Sequence, residues 1–272
     1  MRKQGYREST CYFAVRSLKR LDRRCNITDP ESVKRFLANC SWTEGGKQRI
    51  TEEVDRFYKF QGIKWERPKY EKLDLLPFVP REEQVDALVT GLRSGRIGTF
   101  CLMLKETGSR PGEAWNAEWQ HLDMANRSII IKPEKGSRSR QLRISDNLIA
   151  RVSLLPKTSK FIFHDEVEDR YYGAGLKSFT RTFQKQRKAL SLKLANPRIN
   201  QISFRTLRHY KGTYEYHKTK DLVWVQQILG HRSILNTMRY VRLVKFESDD
   251  YVCKVAKTVE EAKALVEWSL LG

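Results

Sequence analysis

Apolar residues recur every three to four positions through most of this chain, and that spacing is typical of amphipathic helices. Within residues 1–65, three such stripes run through strongly basic segments. Asp29 followed by Pro30 indicates the start of the second helix, because proline suits the first helical position. Gly62 stands where the third helix should end. The pattern predicts a small helical domain at residues 1–65.

The helical period then breaks. Residues 65–80 carry three prolines and many charges, which is typical of an extended segment. We therefore place an interdomain linker at 66–79 and a second domain at 80–272. Two basic domains on such a linker could close around a duplex.

The second domain opens with a helix that carries acidic residues in its first turn, where the helix dipole favours them. Gly95 and Gly98 are predicted to separate it from an apolar helix over 99–105, which Gly108 ends. Later helical patterns, interrupted near 156–160 and at Gly173, cover 146–194, 204–216 and 222–229.

Two segments of residues 127–144 have the pattern of strands. Ile129 to Ile131 is a β-branched run, and Gln141 to Ile144 alternates, with a polar and basic loop between them. They predict a hairpin in a chain that is otherwise helical. The fold class is therefore mainly α with a small β-sheet (α+β).

The C-terminal part of the chain has three shorter signals. Ser233 is a candidate N-cap for a short helix that carries Tyr240. Residues 251–255 alternate like a strand, and residues 258–271 have the pattern of a capped amphipathic helix.

Composition adds a strong charge bias. Lys and Arg number 52 against 32 Asp and Glu, so the formal net charge is +20. A surplus of this size fits a polyanionic partner, because binding to phosphates releases counterions. A hydrophobic content of 40% indicates a packed core rather than disorder.

Several classes of function are disfavoured by what the sequence lacks. The five cysteines include no Cys-x-x-Cys pair, and the five histidines show no metal-ligand spacing. There is no phosphate-binding loop motif and no apolar run of membrane length. We expect a cytoplasmic protein with reduced thiols and neither a metal nor a cofactor.

Three separated motifs hold the residue types that phosphodiester chemistry needs. They are 107–113 with Arg110, 204–209 with Arg208, and 228–240 with His231 and Tyr240. Transfer through a protein nucleophile requires an attacking hydroxyl and cationic donors to the nonbridging oxygens. A guanidinium matches two phosphate oxygens and stays charged. Arg110 and Arg208 are therefore a candidate phosphate clamp.

In this order, the motifs resemble the tyrosine recombinases of the phage-integrase and Xer type. The matching pieces are Thr107 to Glu113, Lys135 in the basic hairpin, Thr206 to His209, Leu229 to His231, and Tyr240. The resemblance covers nearly the whole chain: a helical core-binding domain, a linker and a catalytic domain. Leu-Gly-His ending in a tyrosine is fairly specific. Arg205 and the predicted strand–helix ending favour an archaeal or mobile-element branch.

The resemblance implies a metal-free mechanism of the topoisomerase IB type. Tyr240 would attack the scissile phosphate and form a 3′-phosphotyrosyl link, which frees a 5′-hydroxyl. Arg110 and Arg208 would stabilise the negative charge, and Lys135 would protonate the leaving oxygen. His231 would hydrogen-bond the phosphate. Glu113 would orient its neighbours.

One position departs from the family pattern, which usually has histidine three residues before the second arginine. Here it is Arg205, which cannot act as a neutral base. We expect Arg205 to act electrostatically and His209 to point elsewhere on its helix. Lys132 rivals Lys135 as the general acid.

DNA contacts are expected from both domains. The candidates are Arg138 and Arg140 on the hairpin and Lys47, Arg49 and Lys59 in the first domain. The resemblance implies double-stranded DNA as the partner and a tetramer on two duplexes, with a monomer when free. After the nucleophile, the tail would dock either on its own domain or on a neighbouring subunit.

Two alternatives stay open. Arg205 in place of histidine favours a catalytically impaired DNA-binding protein of the same fold, in which Tyr240 is only a core aromatic and His231 only ends a helix. A type IB topoisomerase would use the same residues without exchanging strands.

Overall fold

The computed structural model describes residues 4–71, 76–134, 136–165 and 174–241. The chain divides into two compact units between Leu76 and Pro77. That division falls inside the segment predicted to be a linker. The predicted strand at 251–255 and helix at 258–271 lie outside the described residues.

The first unit consists of three helices: α1 (Glu8–Asp22), α2 (Pro30–Asn39) and α3 (Glu44–Gln61). The Asp29 side chain caps α2 by accepting hydrogen bonds from the backbone of Glu31 and Ser32, at 3.1 and 3.2 Å. Gly62 ends α3 with a φ of 71°. The buried core of this unit is Leu21, Ile27, Val33, Leu37, Ile50, Val54 and Tyr58.

Packing in the first unit continues past residue 65. The Trp65 ring meets Tyr58 edge-on at 4.9 Å between centroids, and its indole N–H donates to Asp55 at 3.2 Å. The Lys47 ammonium lies 5.5 Å from the centroid of the Tyr70 ring. Trp65 and Tyr70 of the extended chain therefore pack against the core of this unit.

The second unit contains eight α-helices, two short 3-10 helices (Trp119–His121 and Pro197–Gln201) and three strands among the described residues. The helices are α4 (Glu82–Gly91), α5 (Gly95–Thr107), α6 (Pro111–Trp115), α7 (Asp146–Ser153), α8 (Ala174–Lys193), α9 (Phe204–Thr219), α10 (Leu222–Leu229) and α11 (Leu235–Met238). The strands are β1 (Leu122–Asp123), β2 (Ser128–Ile131) and β3 (Arg140–Arg143).

Helix α5 runs through the centre of this unit and packs against α4, α7 and α9. Phe100 on α5 meets the rings of Phe163, Phe179 and Phe204 edge-on at centroid distances of 5.0, 5.2 and 4.9 Å. This aromatic cluster holds the start of α9 against α5, and it thereby positions Arg208 one turn further along α9.

The predicted break at Gly95 and Gly98 was wrong, because both glycines lie inside α5. The Ser94 side chain caps that helix by accepting a hydrogen bond from the backbone of Ile97 at 3.4 Å. A glycine inside a helix costs only about 1 kcal/mol relative to alanine. The burial of most of α5 outweighs that cost.

The strands form an antiparallel sheet in the order β1-β2-β3. Ile129 pairs with Leu142 across the predicted hairpin and with Leu122 on its other side. Ile129 and Ile131 face the core while Ile130 is exposed, as alternation in a strand requires. Strand β1 was not predicted, because its two residues are too few to show a period.

No helix among the described residues has the length and apolar character needed to cross a membrane.

Candidate active site

Arg208 lies at the centre of the candidate site and joins three separate segments. Its side chain is buried and donates to the backbone oxygen of Gly108 at 2.6 Å and of Leu229 at 2.8 Å. Gly108 precedes the Arg110 motif, and Leu229 precedes His231. One guanidinium therefore holds the turns that carry the other candidate residues.

Burial lowers the pKa of Arg208 to about 10, and the nearby positive charges of Arg110 and Arg140 act in the same direction. The guanidinium is still a cation at neutral pH. A buried cation of this kind interacts with an anion more strongly than an exposed one, because water screens it less.

Arg110 belongs to a second hydrogen-bond network, which is centred on the Glu113 carboxylate. The Glu113 carboxylate accepts from the backbone N–H and the guanidinium of Arg110, each at 2.9 Å. It also accepts from the Ser137 hydroxyl at 2.6 Å and from the Arg140 guanidinium at 2.7 Å. The carboxylate thus ties the start of α6 to the hairpin.

The Glu113 carboxyl is strongly acidic despite its burial. Burial by itself would raise its pKa, but the charge of Arg140 and the hydrogen bonds from Arg140, Ser137 and the Arg110 backbone lower it to about 2. Glu113 is therefore an anion at neutral pH.

Arg140 does not have the exposed position that its place in the basic loop predicted. Its side chain is 6% exposed and is paired with Glu113. Arg138, two residues earlier, is exposed, and its backbone N–H donates to the oxygen of Gly230 at 3.0 Å. The two arginines look equivalent in the sequence, but Arg140 is buried and Arg138 is exposed.

Tyr240 lies inside the second unit and is only 1% exposed. It packs with Val79, Val225 and Leu229. A Cβ at Gly212 of α9 would fall 2.8 Å from its Cζ atom, so the tyrosine ring needs the space that this glycine leaves. The hydroxyl therefore has little access to solvent in this form of the protein.

The predicted capping by Ser233 was wrong. Helix α11 follows Ile234, has no side-chain cap among the described residues and ends at Met238, so Tyr240 lies just beyond it. The backbone N–H of Tyr240 donates to the oxygen of Thr237 at 2.9 Å.

Opposing effects act on the Tyr240 hydroxyl. Burial raises its pKa, and the charges of Arg208, Arg239, Arg205 and Arg110 oppose that rise. These cations would favour a negative charge on the tyrosine oxygen.

His231 lies beside Tyr240, with the two rings nearly parallel at 5° and their centroids 6.3 Å apart. Its Nδ1 atom is 2.8 Å from the Thr237 hydroxyl. Burial and the surrounding arginines lower its pKa to about 3. The imidazole is therefore neutral at physiological pH.

His209 was predicted to point away from the site, and that prediction was wrong. Its ring centroid is 6.0 Å from that of Tyr240, and its buried Nδ1 atom has no hydrogen-bond partner in the described part of the chain. Burial and the charges of Arg205, Arg239 and Arg208 lower its pKa to about 4. A second neutral imidazole thus flanks the tyrosine.

Lys135 and Lys132 are the two candidates for the general acid, and the structure describes only Lys132. Lys135 lies outside the described residues. Lys132 follows β2 and binds both carboxylate oxygens of Glu118 at 3.1 Å. The Lys132 ammonium is therefore held in an ion pair with Glu118.

The three residues of the first unit that were predicted to contact DNA differ in exposure. Lys47 has a side chain only 12% exposed and pairs with Glu44 at 3.3 Å. The Lys59 side chain is 75% exposed and pairs with Asp55 at 2.9 Å. Arg49 is exposed. Arg49 and Lys59 are thus more accessible than Lys47.

Sequence reasoning missed several residues of the site: Ser137, Gly212, Thr237 and Arg239. Arg239 precedes Tyr240 in the chain, and that adjacency was a usable signal. Pairings such as Ser137 with Glu113 leave no trace in a single sequence. Among the described residues, no cluster of His, Cys, Asp and Glu is arranged to hold a metal ion.

Replacing Gly108 by alanine is expected to destabilise the second unit more than Gly62→Ala destabilises the first. Both glycines end helices in the left-handed conformation, with φ of 58° and 71°. A Cβ at Gly62 meets no described atom within 4 Å, whereas one at Gly108 falls 2.8 Å from Leu229 Cδ2. We expect about 1 kcal/mol for Gly62→Ala and about 1–3 kcal/mol more for Gly108→Ala.

Denaturant unfolding of the two variants measures both costs. The left-handed conformation is common to the pair, so the difference reports the packing of Gly108 against α10. Equal losses of stability would show that this contact is easily relaxed.

Comparisons with known proteins show the family of this chain. Residues 80–246 match the family model described as the phage integrase family. Tyrosine recombinase XerA of Pyrococcus horikoshii is 21% identical over 201 residues, which span 71% of this chain and 68% of that protein.

Solved structures show the same fold. The Tn1549 transposon integrase in complex with transposon right end DNA has a TM-score of 0.66 at 15% identity, covering 98% of this chain and 95% of that one. The crystal structure of XerA recombinase has a TM-score of 0.52 at 19% identity, covering 91% of each chain.

The fold and the family match define the class of this protein as a DNA-rearranging enzyme with a tyrosine nucleophile. The chain belongs to the phage integrase family. It is a tyrosine site-specific recombinase, and the predictions of family, fold class and enzymatic activity are confirmed.

Proposed function

We propose that this enzyme cleaves and rejoins double-stranded DNA through a covalent bond between Tyr240 and a 3′-phosphate. The observation that carries the proposal is the meeting of four groups from distant segments. Arg208 binds the turn before Arg110 and the helix end before His231, and His231 lies against Tyr240. Phosphoryl transfer needs this combination of a hydroxyl with fixed cationic donors.

In the proposed reaction, the Tyr240 oxygen bonds to phosphorus and the bond from phosphorus to the 5′-oxygen breaks. Arg110 and Arg208 bind the nonbridging oxygens, where negative charge increases. Arg110 suits this role because its side chain is 28% exposed while Glu113 holds it in place. Glu113 acts through Arg110 and Arg140 and is a positioning residue.

Two protons must move in this step. The tyrosine proton needs an acceptor, and we assign it to His209, a neutral imidazole whose buried Nδ1 atom has no partner among the described residues. Burial and the charges of nearby arginines lower the pKa of this imidazole, and the charge of a bound phosphate would offset the contribution of the arginines. Lys135 protonates the 5′-oxygen, a role that rests on the family resemblance. Arg205 is exposed and acts through its charge.

The burial of Tyr240 suggests how cleavage is controlled. At 1% exposure, its hydroxyl cannot reach a phosphate on the surface of the domain. The chain that follows α11 and carries Tyr240 must therefore rearrange on the DNA or in the assembly. We propose that a tetramer on two duplexes makes this change, so that an isolated copy does not cut.

The partner is proposed to be DNA in the cytoplasm. The net charge of +20 supports a polyanionic partner, and the structurally similar Tn1549 integrase was solved with transposon DNA. In this proposal, residues 1–65 form a DNA-binding domain with Arg49 and Lys59 as backbone contacts. Residues 66–79 link it to the catalytic domain at 80–272, where Arg138 contacts the DNA backbone.

The test uses nicked duplex DNA and supercoiled circular DNA from the genetic neighbourhood of the protein, each incubated in EDTA and quenched in detergent. We expect a covalent protein–DNA adduct on a defined site and exchange of strands between two labelled duplexes. Relaxation of supercoils without exchange would indicate a topoisomerase. Salt-sensitive binding without an adduct on any fragment would indicate a catalytically impaired DNA-binding protein.

A further inference from the structure

Thr237 on α11 is a fully buried residue whose hydroxyl lies 2.8 Å from the Nδ1 atom of His231. The two residues are six positions apart, and the turn between α10 and α11 brings them together. The backbone of Thr237 is occupied separately, since its N–H donates to Ile234 and its oxygen accepts from Tyr240.

The direction of this hydrogen bond follows from the partners available. A hydroxyl can donate one hydrogen, and burying that donor without an acceptor is unfavourable because its hydrogen bond to water is lost and not replaced. Among the described residues, the Thr237 hydroxyl has no hydrogen-bond partner other than Nδ1 of His231. If Nδ1 carried the hydrogen, the hydroxyl would have to accept, and its own hydrogen would have no acceptor among the residues that the structure describes.

We propose that Thr237 donates to Nδ1 and thereby holds His231 in the tautomer that carries its hydrogen on Nε2. Thr237 is then a positioning residue for strand cleavage. This inference rests on the proposed function, in which His231 donates a hydrogen bond to the scissile phosphate.

The tautomer decides whether the Nε2 atom of His231 attracts or repels a phosphate oxygen. A neutral imidazole has one donor and one acceptor nitrogen. With the hydrogen on Nε2, that atom donates to a phosphate oxygen. With the hydrogen on Nδ1, Nε2 would present a lone pair and repel the oxygen. Burial and the charges of Arg208 and Arg110 lower the pKa of His231, so the ring stays neutral and protonation does not remove this choice.

The first test reads the tautomer directly in the DNA-free protein. In neutral imidazole, the protonated and bare ring nitrogens have widely separated nitrogen chemical shifts. A nitrogen–proton correlation spectrum of protein labelled on its five histidines gives the state of each ring, and loss of a signal in His231→Gln assigns it. We expect hydrogen on Nε2; hydrogen on Nδ1 would overturn the proposal.

The second test compares two isosteric substitutions at fully buried threonines. Thr237→Val is expected to slow adduct formation by roughly 10–100-fold, the size of loss seen when the groups that orient metal-binding histidines are removed, with DNA affinity unchanged. The control is Thr213→Val, because the Thr213 hydroxyl is also buried but has no partner among the described residues. It should cleave like the wild type. Thr237→Ser, which keeps the hydroxyl, should recover most of the rate.

The coupling between the two residues completes the test. If Thr237 acts through His231, then Thr237→Val should add nothing to the defect of His231→Ala in the double variant. Wild-type cleavage by Thr237→Val, or additive defects in the double variant, would overturn the positioning role. The tautomer measurement needs no DNA cleavage, so its result is independent of whether the proposed function is correct.

Discussion

Tyr240→Phe is expected to abolish the covalent DNA adduct while leaving the fold and the DNA affinity intact. The substitution removes one oxygen and keeps the ring that packs over Gly212 and against His231. Loss of a nucleophile that acts together with its neighbours costs about 10⁴–10⁶-fold in rate. Gel analysis of detergent-quenched reactions measures the adduct, and binding to labelled duplex measures affinity.

A matched control for this variant is Tyr58→Phe in the first unit. The Tyr58 hydroxyl is also buried and has no hydrogen-bond partner in the part of the chain that the structure describes. Its removal should leave adduct formation unchanged. An adduct that persists in Tyr240→Phe would show that another residue is the nucleophile, and the arrangement around Arg208 would then need a different explanation.

Glu113→Gln is expected to lower the free energy of unfolding of the second unit. The loss should exceed the loss caused by removing any single exposed ion pair. The carboxylate accepts hydrogen bonds from Arg110, Ser137 and Arg140, and both it and Arg140 are buried. Removing one partner of a buried ion pair leaves the other charge uncompensated and costs about 3–5 kcal/mol. Denaturant unfolding of the variant measures this change in the second unit.

Asp146→Asn is the control, because it removes an ion pair with Arg127 that is exposed to water on both sides. Exposed pairs contribute at most about 1 kcal/mol. A loss for Glu113→Gln no greater than for Asp146→Asn would mean that the buried network relaxes without its charge.

The stability difference between wild type and Glu113→Gln should also depend on pH. The pKa of Glu113 falls from its ordinary value of 4.5 to about 2 on folding. A carboxyl with a depressed pKa stabilises the fold above its unfolded-state pKa and loses that contribution as the pH falls toward the folded value. The difference should therefore be constant above about pH 5.5 and shrink below it. Unfolding curves measured from neutral pH down to the acid limit of folding test this, and a constant difference would contradict it.

The sequence by itself determined most of the helices, the hairpin and the family of the protein. Capping signals are local, so Asp29 with Pro30 and Gly62 after α3 predicted helix ends that the structure confirms. The order of Arg110, Arg208, His231 and Tyr240 also predicted the family, because the type of chemistry follows from residue types and their spacing.

Only the tertiary structure decided which side chains face the site and which are buried. Arg138 and Arg140 are both arginines of one basic loop, yet Arg140 is paired with Glu113 from a segment 27 residues away. Tyr240 fits over Gly212, and His209 lies beside it instead of pointing away. Such pairings depend on packing between distant elements, and the period of a single sequence carries information only about each element's own faces.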